Sequence, residues 1–317
     1  MIKNLKGSIM LLIATIIWGS AFVAQESASR YIGSFTINCL RSLIAVAVLI
    51  PTAYIFKFNR QKTQATKEKL FTKTTVFAGI ICGLALSVAA NLQQFGIMFN
   101  SELREGSSDK AGFLTAMYLI FVPLFSCFIG KKLQFSMLVG VVLSVFGLYF
   151  ISISENFSIS AGDISLLLCA VAFALHIMIV DGFVSKVDGI ALSAVQFLTV
   201  AVTSGILMLI FERNYITVQN LTSAALPVIF CGVLSSGIAY TLQIIGQKNC
   251  EPTIASIIMS LESLFCLITA SIFNKSSPTL RMMLGCLLML TAILVIETPF
   301  TDRMFAKIFK RKKSYEI

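Results

Sequence analysis

Polar and apolar positions alternate along the chain in ten long waves rather than at short periods. Apolar runs of about twenty residues occupy roughly 8–26, 35–56, 75–99, 111–130, 136–154, 163–182, 190–211, 225–247, 253–273 and 281–298, with short polar connections between them. Each run is long enough to cross the ~30 Å hydrocarbon layer of a bilayer as a helix. Lipid offers no hydrogen bonds, so a spanning segment must be a helix or part of a closed barrel, and continuous apolar runs can only be helices. The predicted fold class is all-α, a polytopic membrane protein of ten transmembrane helices.

Two of these runs resemble each other. Val76–Asn100 reads VFAGIICGLALSVAANLQQFGIMFN, and Pro227–Cys250 reads PVIFCGVLSSGIAYTLQIIGQKNC. Leu92, Gln93 and Gly96 fall on Leu242, Gln243 and Gly246, behind the small-residue faces Gly79/Gly83 and Gly232/Ser236. The first run has a partner too, because Trp18–Phe22 matches Phe173–Ile177 at an offset of 155. That partnership decides how the N-terminus is read. Lys3, Lys6 and Ser27-Ala28-Ser29 mimic a signal peptide, but removing the run would break the repeat, so it is the first span. The chain divides into a repeat at 8–154, a repeat at 163–298 and a basic tail at 299–317. Five crossings per repeat is an odd number, so the halves are inverted, an arrangement that gives a transporter two related conformations around a midplane site.

Composition supports the membrane assignment. The chain is 57% hydrophobic and 13% charged over 317 residues, with mean hydropathy +0.88, whereas soluble domains carry about 25% charged residues. The net charge of +10 would suggest nucleic acid in a soluble protein, but the basic residues lie between apolar runs and follow topology instead. With the N-terminus inside, eighteen of the 25 Lys and Arg, including Lys57, Lys131, Lys186 and Lys248, lie on the cytoplasmic side. Six lie opposite (Arg30, Arg104, Lys110, Arg213, Lys275 and Arg281), and Arg41 is inside a span. Both termini are therefore expected in the cytoplasm, with the chain in the cell membrane. The eight cysteines lack CxxC spacing and read as small buried hydrophobes, and one histidine offers no metal site by spacing. No metal, cofactor or nucleic acid is expected.

Particular motifs carry a family likeness. WGSAFV in span one, RSLIAVAVL after Arg41, LQQFGI in span three and AMYLIFVPLF in span four resemble the first EamA-type repeat of the drug/metabolite transporter superfamily; TLQIIGQ, SLESLFCLI and LGCLLMLTAILVI resemble the second. The resemblance covers roughly 8–298 and implies ten helices, a central cavity and movement of small organic solutes across a cell membrane. The chain departs from the family at the turns after the fourth and ninth helices. There the family often has a glutamate and this chain has Gly130-Lys131 and Asn274-Lys275.

Ionisable groups within spans are costly and mark functional candidates. Arg41, two turns into span two, matches the family's arginine; it is either an anion-binding or a structural residue, with Gln196 as its partner in the second repeat. Glu262, at midspan in SLESLF, must be paired, hydrogen-bonded or protonated, and the family often has an acid there. His176 is the lone histidine, at the middle of span six. The amide and aromatic residues Asn91, Gln93, Tyr240 and Gln243 offer donors and acceptors without net charge, though such residues also serve as interhelical glue. Trp18 lies deep in span one rather than in an interfacial belt, which favours a pocket wall. With Tyr118 these form the candidate substrate lining: Trp18, Asn91, Gln93, Tyr118, His176, Tyr240, Gln243 and Glu262.

The function expected is secondary transport, not enzymatic catalysis. No G-x-x-x-x-G-K-[ST] loop is present to bind ATP, and no H-E-x-x-H is present for zinc hydrolysis. Alternating access would move a small polar or zwitterionic metabolite, an amino acid or related compound, in the direction of export. Alternatives are an exporter of lipophilic cations held by Glu262 and aromatic rings, an intramembrane enzyme, and a channel or scaffold. Protons are a candidate coupling ion, and a homodimer is left open.

Overall fold

The computed structural model describes residues 5–63, 69–102, 107–152, 160–274 and 279–297. The basic tail, Arg104, Lys275 and the last residues of the expected spans five and ten fall outside these. Among the described residues the protein is helical without strands. Three long helices open it: α1 (Leu5–Ser29), α2 (Ser34–Thr63) and α3 (Lys73–Glu102). The fourth span is two helices, α4 (Ser107–Ala116) and α5 (Tyr118–Phe128), and α6 (Phe135–Ser152) completes the first repeat. The second repeat begins with α7 (Ala161–Phe183) and α8 (Gly189–Phe211). Its third span runs through α9 (Val218–Phe230), a π-helical stretch at Cys231–Ala239 and α10 (Tyr240–Gln247). Then come α11 (Pro252–Met259), α12 (Glu262–Asn274) and α13 (Leu280–Glu297).

Eight of these spans, counting the broken ones as single crossings, are 19–30 residues long and apolar enough to cross a membrane; α6 and α13 are shorter apolar helices. Outward-facing side chains such as Phe128, Leu226 and Leu280 are 80% exposed or more, which suits a lipid-facing surface. Packing follows the repeat. Helix α1 lies along the α9–α10 span as α7 lies along α3; α1 meets α12 as α7 meets α5; α2 crosses α8, and α6 pairs with α13. Glycines permit the closest crossings: a Cβ on Gly19 would sit 2.5 Å from the Phe265 Cβ and 2.7 Å from the Cys266 nitrogen. Small residues at such positions let membrane helices approach backbone to backbone.

Three spans expected as continuous are interrupted, and all three interruptions face the centre. At Met117 the i→i−4 ladder gives way to shorter bonds, Met117 N to Leu114 O at 3.3 Å and Ile120 N to Met117 O at 3.0 Å. Pro123 lies just beyond inside α5, and a proline lacks the donor for the carbonyl four residues back and crowds it. The second break, at Ser260–Leu261, has no proline. There the Ser256 and Ser260 hydroxyls each donate to the carbonyl three residues earlier at 2.8 Å, competing with the main-chain ladder and bending the helix. The π-helical stretch contains Gly232, Ser235, Ser236 and Gly237, residues with weak α preference that tolerate a widened turn.

Candidate functional site

The breaks at Met117 and Leu261 are equivalent positions of the two repeats, and each places one polar residue at the first turn of a half-helix: Tyr118 on α5 and Glu262 on α12. A carboxylate suits that place, where free N–H groups and the helix dipole favour negative charge. Tyr118 and Glu262 line one narrow central cavity with Trp18, Phe22, Gln25, Arg41, Gln93, Thr115, Phe173, Ile177, Ser235, Tyr240, Gln243 and Met259. The lining is itself twofold. Trp18 and Phe22 correspond to Phe173 and Ile177, Gln93 to Gln243, and Thr115 and Tyr118 to Met259 and Glu262. The residues left without an equivalent in the lining, Gln25, Arg41, Ser235 and Tyr240, gather where α1 and α2 meet the π-helical stretch.

Hydrogen bonds hold the amides in place. Gln93 Nε2 donates to Thr115 Oγ1 at 3.3 Å, and Gln243 Nε2 to Gln247 Oε1 at 3.1 Å. Tyr240 packs edge-on against Trp18, with centroids 4.8 Å apart, and against Phe197 at 5.3 Å. Arg41 is 2% exposed and donates from one Nη to Gln25 Oε1 at 2.9 Å. Glu262 is 4% exposed. Among the described residues neither has an ion-pair partner. The Tyr118 hydroxyl and the Glu262 carboxylate lie close enough to interact, and Tyr240 lies within reach of both Glu262 and Arg41. Three further buried lining atoms keep unused hydrogen-bonding capacity: Trp18 Nε1 and Arg41 Nε as donors and Gln243 Oε1 as acceptor. A buried polar group left in that condition costs about 1–3 kcal/mol, so the cavity is suited to a small ligand that carries both kinds of partner.

Two of the sequence candidates stand elsewhere. Asn91 is on the other side of α3 from Gln93 and ties three helices together: it accepts from Asn38 Nδ2 on α2 at 3.0 Å and donates to Ser204 Oγ on α8 at 3.0 Å. His176 is fully buried behind the wall, its ring 6.3 Å from that of Tyr240 and its Nε2 3.2 Å from Gln196 Oε1. Gln196, which corresponds to Arg41, thus also joins the second helix of its repeat to the first, but through His176, one turn from Val180, the equivalent of Gln25. Sequence reasoning missed Gln25, Thr115, Ser235 and the apolar Phe22, Phe173, Ile177 and Met259. Gln25 had a signal, since residues 18, 22 and 25 share one helix face. Among the described residues no three His, Cys, Asp or Glu side chains gather as a metal site would require.

Paired half-helices meeting at a buried central cavity, within two five-helix repeats of apolar spans, define a polytopic membrane transporter. The particular family follows from the sequence: the EamA-like transporter family matches at residues 5–153 and again at 160–298, and the chain belongs to it. An uncharacterized transporter of Archaeoglobus fulgidus is 23% identical over 297 residues, covering 93% of this chain and 87% of its own. The uncharacterized transporter YoaV of Bacillus subtilis is 24% identical, covering 96% of this chain and 99% of its own. A crystal structure sharing 19% identity superposes with a TM-score of 0.72 over 94% of this chain and 98% of its own, which shows the fold.

Proposed function

We propose that this protein is a secondary transporter that exports a small zwitterionic metabolite, an amino acid or a related compound, from the cytoplasm by alternating access. The observation that carries this reading is the pair Arg41 and Glu262, opposite charges buried in one cavity without an ion-pair partner among the described residues. Uncompensated buried charge costs several kcal/mol. A dipolar ligand offsets both at once, its anionic group at Arg41 and its cationic group at Glu262, with Tyr240 between them. A phosphate ester would want several cations in the spans, and Arg41 is the only basic residue in the lining. The amides Gln93 and Gln243 would serve the uncharged polar part of the ligand. Protons are the coupling ion we favour, carried by Glu262, and the membrane is the cell membrane with both termini in the cytoplasm.

One observation favours a second reading, export of lipophilic cations. Five of the lining side chains, Trp18, Phe22, Tyr118, Phe173 and Tyr240, are aromatic, and rings beside one carboxylate can hold a cation by charge and cation–π contact. Counterflow in proteoliposomes separates the two. Neutral amino acids should compete, and Arg41→Gln should weaken that competition about tenfold, as expected for loss of one charge-assisted contact. Competition by quaternary ammonium dyes that is indifferent to Arg41→Gln would establish the second reading. Competition by sugar phosphates alone would refute both.

A further inference from the structure

The repeat relation extends beyond the cavity to both ends of the bundle. At one end α3 crosses α7: a Cβ on Gly96 would lie 2.8 Å from the Gly162 carbonyl oxygen, and one on Gly162 would lie 3.0 Å from that of Gly96. At the other end α1 crosses α10, where a Cβ on Gly7 would lie 2.8 Å from the Gly246 oxygen and one on Gly246 would lie 3.0 Å from the Gly7 oxygen. These are the same crossing twice. Gly96 corresponds to Gly246 at the offset of 150 that aligns Gln93 with Gln243, and Gly7 to Gly162 at the offset of 155 that aligns Trp18 with Phe173. Even the nearest side chain that a Cβ would meet is equivalent at Gly7 and Gly162: Cys250 Sγ at the first and Asn100 Oδ1 at the second.

The surroundings of the two crossings are not alike. Beside Gly96–Gly162, Asn100 Nδ2 donates to Asp163 Oδ1 at 2.9 Å, Ser160 Oγ donates to Asn100 Oδ1 at 2.6 Å, and Lys110 Nζ lies 2.7 Å from Asp163 Oδ2. That ion pair is sheltered, its side chains 13% and 2% exposed. The equivalents of Asp163 and Asn100 at the other end are Ser8 and Cys250, which meet at 3.7 Å. Lys110 corresponds to Ile254, at the offset of 144 that aligns the breaks at Met117 and Leu261 and brings the fully buried Ala111 onto Ala255. Charge and amide at one end are thus replaced by hydroxyl, thiol and hydrocarbon at the other. The Ser8 end has its own ion pair, Lys131–Asp181 at 2.7 Å, but with side chains 43% and 24% exposed, and exposed pairs contribute little. At the Asp163 end Glu212 also fastens α8 to α2, accepting from the Phe35 and Thr36 nitrogens at 3.0 and 2.8 Å.

We propose that these two glycine crossings are the opposing gates of the transport cycle, and that the Asn100–Asp163–Lys110 bolt, present on one gate only, biases the protein toward conformations open at the Ser8 end. Inverted repeats alone would make the two open forms nearly equal in energy. The charge-assisted bonds must be broken to part α3, α4 and α7, whereas among the described residues no ion pair joins α1 to α10. With the topology argued above, the favoured opening faces the cytoplasm, which is the loading side for an exporter. The proposal rests on the transporter reading for its purpose, but its test needs no substrate.

The test is accessibility of a cavity cysteine in the full-length protein in membrane vesicles. Ser235→Cys, on the cavity wall, is labelled with a membrane-impermeant maleimide from either face, with the parent chain's labelling subtracted. In the otherwise unaltered protein, labelling from the Ser8 face should exceed that from the Asp163 face at least tenfold, a bias of about 1.4 kcal/mol. Lys110→Ile with Asn100→Cys, which installs the residues of the other gate and leaves the Ser160–Asp163 cap of α7 intact, should raise labelling from the Asp163 face about tenfold. Lys110→Arg, which keeps the pair, should not. Placing Ser8→Asp and Ile254→Lys together should lower labelling from the Ser8 face. Equal labelling from both faces at the outset, no change with Lys110→Ile/Asn100→Cys, or the same change with Lys110→Arg would each overturn the proposal. Failure of amino acids to compete in counterflow, with these shifts intact, would leave the gates standing and remove only the substrate assignment.

Discussion

Glu262 stands at the first turn of α12 because the chain breaks one residue before it, and Arg41, the cation of the same lining, makes no ion pair with it among the described residues. A carboxylate so placed is where a proton can be exchanged for the charged end of a ligand. Glu262→Gln is expected to abolish the pH dependence of flux and to reduce transport at least tenfold. Lys131→Ala, which removes an exposed ion pair with Asp181, should keep the pH profile with a change of about twofold at most. Equal, mild effects in both variants would make Glu262 a packing residue. At this scale the sequence was legible where polarity stood out against hydrocarbon: Trp18, Gln93, Tyr118, Tyr240, Gln243 and Glu262 all reach the cavity. It was not legible for Phe22, Phe173, Ile177 and Met259, since an apolar side chain facing a cavity and one facing lipid read the same. Asn91 and Gln93 show the other limit. Two positions on a helix are turned by about 200° from one another, so only one of the two could face the cavity, and composition could not choose between them.

Helix crossings set what the elements tolerate. Gly19 holds α1 against α12 with no room for a methyl group, whereas a Cβ on Gly182, near the end of α7, would meet nothing within 4 Å. Gly19→Ala should destabilise the protein by about 1–3 kcal/mol through forced displacement of packed backbone. Gly182→Ala should be neutral or stabilising by up to about 1 kcal/mol through helix propensity. Thermal unfolding in detergent would measure both, and equal midpoints would contradict the close crossing. The spans themselves were readable from hydropathy, which reports burial from water and nothing finer. Their interruptions were only partly so. Pro123 marks the break at Met117, but the bend at Ser260–Leu261 comes from serine hydroxyls bonding back to the main chain. Serines that do this and serines that merely pack look identical in a sequence, and the π-helical turn before Tyr240 has equally weak local signs.

The repeat was the most legible feature of the whole molecule, because it left residues at fixed offsets in helices that pack together as equivalents, such as Gly7 with Gly246 and Gly162 with Gly96. Orientation in the membrane rests on charge instead of contact. If the N-terminus lies inside, eighteen basic residues fall on the cytoplasmic side against six opposite, the asymmetry expected where Lys and Arg are retained in the cytoplasm during insertion, and on that ground we propose both termini inside. That proposal goes with an even number of crossings, since an odd number would put the basic stretch Arg303–Lys313 on the opposite face. Reporter domains fused after Lys313 and before Lys3 should both behave as intracellular, and one inserted between Phe211 and Val218, beyond the end of α8, should behave as external. The third fusion is the discriminating one. An external C-terminus would remove or add a crossing in the second repeat alone, while an internal reporter after Phe211 with both termini inside would turn α8 into a helix that fails to span. Either result would break the inverted relation on which the two gates depend, and agreement of all three would place the Asp163 gate outside and the Ser8 gate in the cytoplasm.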